Sequence, residues 1–218
     1  MQTRTEYLSQ LAQLDQMVNS MGDLVSSSLS QALHALWNNE KELARSIAAQ
    51  DDTIDDKERD IEHLCMTLLL RQQPVASDLR QVSSVMKLVS DLERIGDHSA
   101  DIAEIVEHLS ANSYMPERLK TMAETVQQMV REAVAAFVQH DTKHASCVIA
   151  KDDDADADFI AIRQDITAHI VKQPSDTDAA LDSFMIAKYL ERIGDHAVNV
   201  AEWVSFCHDG EYKNGPLL

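Results

Sequence analysis

Acidic residues recur four positions apart along this chain, a spacing that can build an oxygen-ligand metal site. The string ERIGDH occurs twice, at 93–98 and 191–196. Because residues four apart lie on nearly the same face of a helix, each copy supplies a Glu–Asp pair. The candidate ligands on four helices are Asp51, Asp55, Glu58 and Glu62; Glu93, Asp97 and Asp101; Asp152 and Asp156; and Glu191, Asp195, Asn199 and Glu202.

These carboxylates form stripes, and two stripes on neighbouring helices could reach a common point. Like charges placed so closely destabilise a fold unless something neutralises them. A bound cation does so, and all-oxygen ligands suit magnesium, manganese, calcium or ferric iron. The alternative is that the stripes are solvated faces of acidic helices. The second half is less acidic, because Phe159 and Arg163 stand where the first half has Glu58 and Glu62.

The other residues of the repeated string indicate packing rather than ligation. Gly96 and Gly194 lie in mid-helix, where glycine costs about 1 kcal/mol relative to alanine, so we expect a close helix–helix approach there. His98 and His196 lie roughly 100° from the stripe, which favours hydrogen-bonding roles. Arg94 and Arg192 are expected to form local salt bridges, with a phosphate contact as the alternative.

Apolar residues spaced three and four apart predict the helices that carry these stripes. Breaks are expected near Asn38, at Pro74, between 109 and 116, at the sequence QHD (139–141), and at Pro174. The second half repeats the plan of the first. The sequence therefore predicts an all-α fold of two tandem, similar three-helix bundles, with six long antiparallel helices. The predicted domains are 1–113 and 114–218.

Composition restricts the function classes. The formal net charge is −18 without a basic face, which argues against nucleic-acid binding. No stretch approaches the roughly 20 apolar residues of a spanning helix, so a membrane connection is expected only through partners. Scattered cysteines suit a reducing cytoplasm. The chain lacks nucleotide-binding, hydrolase and zinc-protease motifs, and it lacks the Glu-x-x-His of di-iron oxidases, so we expect no enzyme activity.

Three stretches resemble the PhoU family: LLRQQPVASDLR (69–80), DLERIGDHSADIAE (91–104) and YLERIGDHAVNVAEW (189–203). The resemblance covers essentially the whole chain, although RQQP has one more glutamine than many members have. It implies a cytoplasmic, non-catalytic and often dimeric protein of the phosphate-specific transport system. Such proteins repress the phosphate-starvation response by linking the ATPase of the phosphate ABC transporter to a sensor histidine kinase.

The resemblance also implies metal clusters. Some PhoU-like proteins bind iron or zinc through E(D)-x-x-x-D motifs, and others use manganese or magnesium. In this chain those motifs are Asp51/Asp55 with Glu93/Asp97, and Asp152/Asp156 with Glu191/Asp195. The alternative function is a metal-storage protein or a carboxylate-bridged metal redox protein.

Overall fold

The computed structural model describes residues 4–71, 76–111, 113–139, 141–212 and 215–216. The described part is almost entirely helical, as predicted. In chain order its elements are α1 (Arg4–Asn38), α2 (Lys41–Ala48), α3 (Asp51–Arg71), α4 (Ala76–His108), α5 (Glu117–Gln139), α6 (Thr142–Lys172), a 3-10 turn (Pro174–Asp176), α7 (Thr177–Asp209), β1 (Glu211–Tyr212) and β2 (Gly215–Pro216).

The second predicted helix is broken, which the sequence analysis did not anticipate. The Gln50 N–H donates to the carbonyl of Ile47, and the Thr53 N–H donates to that of Gln50, each at 3.0 Å. These i to i−3 bonds interrupt the α-helical ladder. Asp51 and Asp52 consequently occupy the first turn of α3, where carboxylates interact favourably with the helix dipole. The matching segment of the second half continues unbroken through α6.

Most other helix ends follow local chemistry. Asn39 adopts a φ of 52° after α1, which ends that helix at the predicted break. The Asp141 carboxylate accepts the N–H groups of Lys143 and His144 and caps α6. Gly210 adopts the left-handed conformation after α7. The break predicted at Pro74 lies outside the described residues.

The two halves share one core. In the first half α1 packs with α2, α3 and α4, and in the second α5, α6 and α7 pack together. The α4–α7 and α1–α5 contacts join the halves, and their buried side chains belong to one continuous cluster. The domain boundary between 113 and 114 therefore stays a prediction. Among the described helices, none is long and apolar enough to cross a membrane.

Two short antiparallel strands, of two residues each, follow α7 and were not predicted from the sequence. Glu211 pairs with Pro216, and Tyr212 pairs with Gly215. The ring of Tyr212 stacks on Trp203 with centroids 4.1 Å apart, which holds the hairpin against α7.

Candidate metal centre

A close approach of α3 and α4 brings the carboxylates of the first half together. A Cβ atom on Gly96 would lie 2.7 Å from Ile54 Cδ1 and 3.2 Å from its Cγ2, so any larger residue here would have to displace the Ile54 side chain. Asp55 follows Ile54 along the chain, and Asp97 follows Gly96. The close approach expected at Gly96 is therefore confirmed, and the contact aligns the two acidic stripes. The same expectation is wrong for Gly194, where a Cβ atom would meet nothing closer than 3.7 Å.

Asp55, Glu93 and Asp97 form what we call the first carboxylate cluster. Each offers one carboxylate oxygen, and the three oxygens lie within 4.8 Å of one another. All three side chains are half-buried. In the part of the chain that the structure describes, no other three acidic, histidine or cysteine side chains meet this spacing. A single cation could contact oxygens from both helices at once.

The electrostatics of the cluster favour neutralisation. Burial raises the pKa of Glu93 to about 7, and Asp97 adds to the shift. Burial, assisted by Asp97 and Asp55, raises the pKa of Asp51 to about 6. Burial also raises the pKa of Glu58, against the opposing effect of the Ser90 hydroxyl that hydrogen-bonds to it. These carboxyl groups are held close together at a cost in charge repulsion, which a bound cation would relieve.

Two arginines neutralise part of this charge from the surface. The Arg94 Nε lies 3.2 Å from Glu93 Oε2, and its Nη1 donates to Asp97 Oδ2 at 2.5 Å. Arg59 lies 3.4 Å from an Asp55 oxygen. Their side chains are 56% and 66% exposed, respectively, so both lie largely in solvent and leave the carboxylate oxygens accessible from that side. The donor set therefore fits a hard cation. The salt-bridging role expected for Arg94 is confirmed, whereas the salt bridges among the described residues include none at the exposed Arg192, so the expectation is wrong there.

The other residues predicted for the first half lie around this cluster. Glu58 and Glu93 border a cleft of about 350 Å³ that extends towards α7, and Glu62 lies one turn further along α3. Asp101 is close enough to Asp51 to contribute to its raised pKa.

Asn199, which the spacing assigned to the second half, lines this same cleft and faces α4. Its amide donates to Asp91 Oδ1 at 3.0 Å. Asp91 also lies 2.9 Å from His196 Nδ1, so it ties the two halves together. Sequence reasoning missed Asp91, because a helical wheel identifies a face but not the helix that packs against it. Glu202 lies half-buried three residues beyond Asn199.

The histidines of the repeated string meet where α4 packs on α7. The rings of His98 and His196 have centroids 5.9 Å apart, and His98 also stacks on Tyr189. The Nδ1 of His98 lies 3.1 Å from Asp101 Oδ2. The hydrogen-bonding role expected for both histidines is confirmed.

The second carboxylate cluster comprises Asp152, Asp156, Glu191 and Asp195 and lies between α6 and α7. Burial raises the pKa of Asp152 to about 6, with Asp156 as the next contributor. Burial, and then Glu191, raises that of Asp195. Lys188 donates to Glu191 Oε2 at 2.5 Å. This lysine was missed in the sequence, although its position three residues before Glu191 is a recognisable helix ion-pair spacing.

The fold and these clusters define the class of protein: a duplicated, all-α protein that gathers carboxylates between two helices in each half. The family model of the PhoU domain matches the chain twice, over residues 18–106 and 119–204. The chain belongs to the PhoU family.

Relatives and solved structures agree with this membership. The chain is 32% identical to a phosphate-specific transport system accessory protein PhoU homolog of Clostridium acetobutylicum, over 92% of this chain and 93% of that one. It is 34% identical to the Streptococcus pneumoniae homolog, over 95% and 97%. The crystal structure of Pseudomonas aeruginosa PhoU matches with a TM-score of 0.90 at 32% identity, covering 94% of this chain and all of that one.

Proposed function

We propose that this chain is a PhoU-type negative regulator of the phosphate-starvation response. It acts in the cytoplasm as an adaptor between the ATPase of the phosphate ABC transporter and the sensor histidine kinase of a two-component system, as a homodimer and without catalysis of its own. The observation that carries the proposal is the match over nearly the full length to relatives named as accessory proteins of phosphate-specific transport.

Metal binding at the first carboxylate cluster is the second part of the proposal. Asp55, Glu93 and Asp97 would hold the ion, and Asp51 and Glu58, which interact electrostatically with these carboxylates, would add negative charge beside it. The ion would supply positive charge that neutralises the cluster and fixes the spacing of α3 and α4. The oxygen ligands suit iron, manganese or magnesium and also occur around zinc.

The regulatory role is tested in a strain that lacks the gene. Alkaline phosphatase activity in high phosphate should rise on deletion and return to its repressed level when the wild-type chain is supplied. Unchanged repression in the deletion strain would remove the regulatory role. Asp55→Ala with Asp97→Ala tests whether the metal site matters, with Asp56→Ala as the matched control because Asp56 lies on the exposed side of α3.

Metal storage or redox chemistry is the second candidate function, and the observation that favours it is the three-carboxylate geometry of the first cluster. Elemental analysis of the purified protein and an assay of oxygen consumption with ferrous iron separate the two functions. A regulator with a structural ion gives a fixed, small metal stoichiometry without iron turnover. Iron accumulation or catalytic oxygen consumption would support storage or redox chemistry instead.

A further inference from the structure

The two ERIGDH strings are identical, but the residues that face them differ in charge between the halves. Aligning the repeated strings and the preceding helices gives replacements in both directions, and the replacement of Arg59 by Ile160 removes a positive charge from the second half. Three other replacements beside the carboxylates make the second half more positive. They are Ser90 by Lys188, Glu58 by Phe159, and Glu62 by Arg163.

Lys188 reaches into the second carboxylate cluster. Its Nζ donates to Glu191 Oε2 at 2.5 Å and lies 5.2 Å from the ring centroid of Phe159. Its charge also acts on Asp195. The ammonium is therefore flanked by carboxylates and backed by an aromatic face, which is a favourable environment for a cation.

The comparison with the first half shows why this lysine differs from the arginines there. The Lys188 side chain is 35% exposed and packs on Phe159, whereas Arg94 is 56% exposed and Arg59 is 66% exposed. The arginines approach the first cluster from solvent and can leave without loss of packing. Displacement of Lys188 would break its contact with Phe159 as well as its ion pair.

We propose that the Lys188 ammonium is the resident cation of the second carboxylate cluster, so that only the first cluster is a metal centre. An ammonium at this position repels a divalent ion and holds Glu191 away from it. Phe159 supplies no ligand at the position where the first half has Glu58. The inference rests on the proposed function for the choice of a metal ion as the competing ligand.

The test measures Mn²⁺ binding by equilibrium titration, with free Mn²⁺ counted by electron paramagnetic resonance. Asp55→Ala with Asp97→Ala gives a background in which the first cluster is disabled. Lys188→Met is then added, because methionine retains much of the lysine stem against Phe159 and removes the charge. Lys188→Ser, which introduces the residue of the first half, serves as a second variant. Lys151→Met is the matched control, because Lys151 pairs with Glu132 and is similarly half-buried on α6.

The background variant should bind no Mn²⁺ more tightly than the millimolar range, and adding Lys188→Met or Lys188→Ser should tighten binding at least tenfold. Lys151→Met should leave it unchanged. Tight binding by the background variant while Lys188 is present overturns the proposal. So does an absence of gain in both Lys188 variants when their circular dichroism is native. Failure of wild-type protein to bind Mn²⁺, together with a gain in the Lys188 variants, counts against the metal part of the proposed function and supports this inference.

Discussion

The two string glycines make an internal comparison of helix packing, because the same substitution should have opposite effects at the two sites. In Gly96→Ala the new Cβ would lie 2.7 Å from Ile54 Cδ1 and 3.2 Å from its Cγ2. In Gly194→Ala the nearest atoms are 3.7 Å or more away, which is an ordinary contact distance. Ile54 is fully buried, so it has little room to move aside.

The magnitudes follow from two opposing effects. Replacing glycine by alanine in a helix stabilises it by about 1 kcal/mol. Overpacking a buried contact costs roughly 1–3 kcal/mol. Gly194→Ala keeps the gain and should raise the melting temperature by about 2–4 °C for a chain of this size. Gly96→Ala should lower stability by up to about 2 kcal/mol once the two effects are summed.

Urea and thermal denaturation followed by circular dichroism in EDTA measure both variants without metal. Ile54→Val serves as the local probe, because it removes the Cδ1 atom that the new methyl group meets first. Alone it should cost about 0.5–1.5 kcal/mol, and in the Gly96→Ala background its cost should fall by at least about 0.5 kcal/mol. If Gly96→Ala stabilises the protein as much as Gly194→Ala does, the close approach of α3 and α4 is not what requires glycine.

Three further outcomes are expected. Burial, with Asp97 second, raises the pKa of Glu93 to about 7, so the metal-free protein should lose stability as the pH rises from about 4 through 7. One pKa unit corresponds to about 1.4 kcal/mol, which is discounted here for solvent screening. In urea titrations Glu93→Gln should therefore be roughly 1–2 kcal/mol more stable than wild type at pH 8 and equal to it near pH 4. A stability difference that does not change with pH would contradict this. Asp55→Ala with Asp97→Ala should abolish Mn²⁺ binding at the first carboxylate cluster and leave far-ultraviolet circular dichroism native, and unchanged stoichiometry would refute the assignment. Asp91→Ala should lower stability by about 1–3 kcal/mol, because His196 and Asn199 of α7 lose a half-buried acceptor. The control Asp56→Ala removes an exposed carboxylate and should change stability by less than about 0.5 kcal/mol. Similar losses in the two variants would argue against the α4–α7 link.

Much of the fold follows from the spacing of apolar residues. The periodicity and the breaks at Asn38 and Pro174 predict the helices that the structure contains, since a helix must bury one face and stops where its backbone bonding ends. The break between α2 and α3 was not predictable in this way. It contains neither glycine nor proline. The loss of α-helical hydrogen bonds at the break is offset by the favourable interaction of Asp51 and Asp52 with the N-terminal end of the α3 dipole, which is a small and local effect.

The candidate site was predictable only in part. The four-residue spacing of Glu93 and Asp97 places them on one face of α4, and the glycine between them indicates close packing. Which helix supplies the opposing residues depends on tertiary contacts. Asn199 illustrates the limit, because its spacing fits the stripe of its own half while its amide binds Asp91 across the α4–α7 contact.

Two faces of the repeated string have the same task in both halves. Its acids line a carboxylate cluster, and its histidine lies at the α4–α7 contact, where the rings of His98 and His196 meet. Its glycine differs, because only Gly96 makes a close approach to a neighbouring helix, at Ile54 of α3. A substitution of one of its acids or of its histidine would disturb a carboxylate cluster or the α4–α7 contact. Differences between the halves are therefore expected outside it, and Ser90 and Lys188 are such a pair. On the proposal above, Lys188, three positions before the string and in contact with Phe159, neutralises the second carboxylate cluster where the first cluster would take a metal ion.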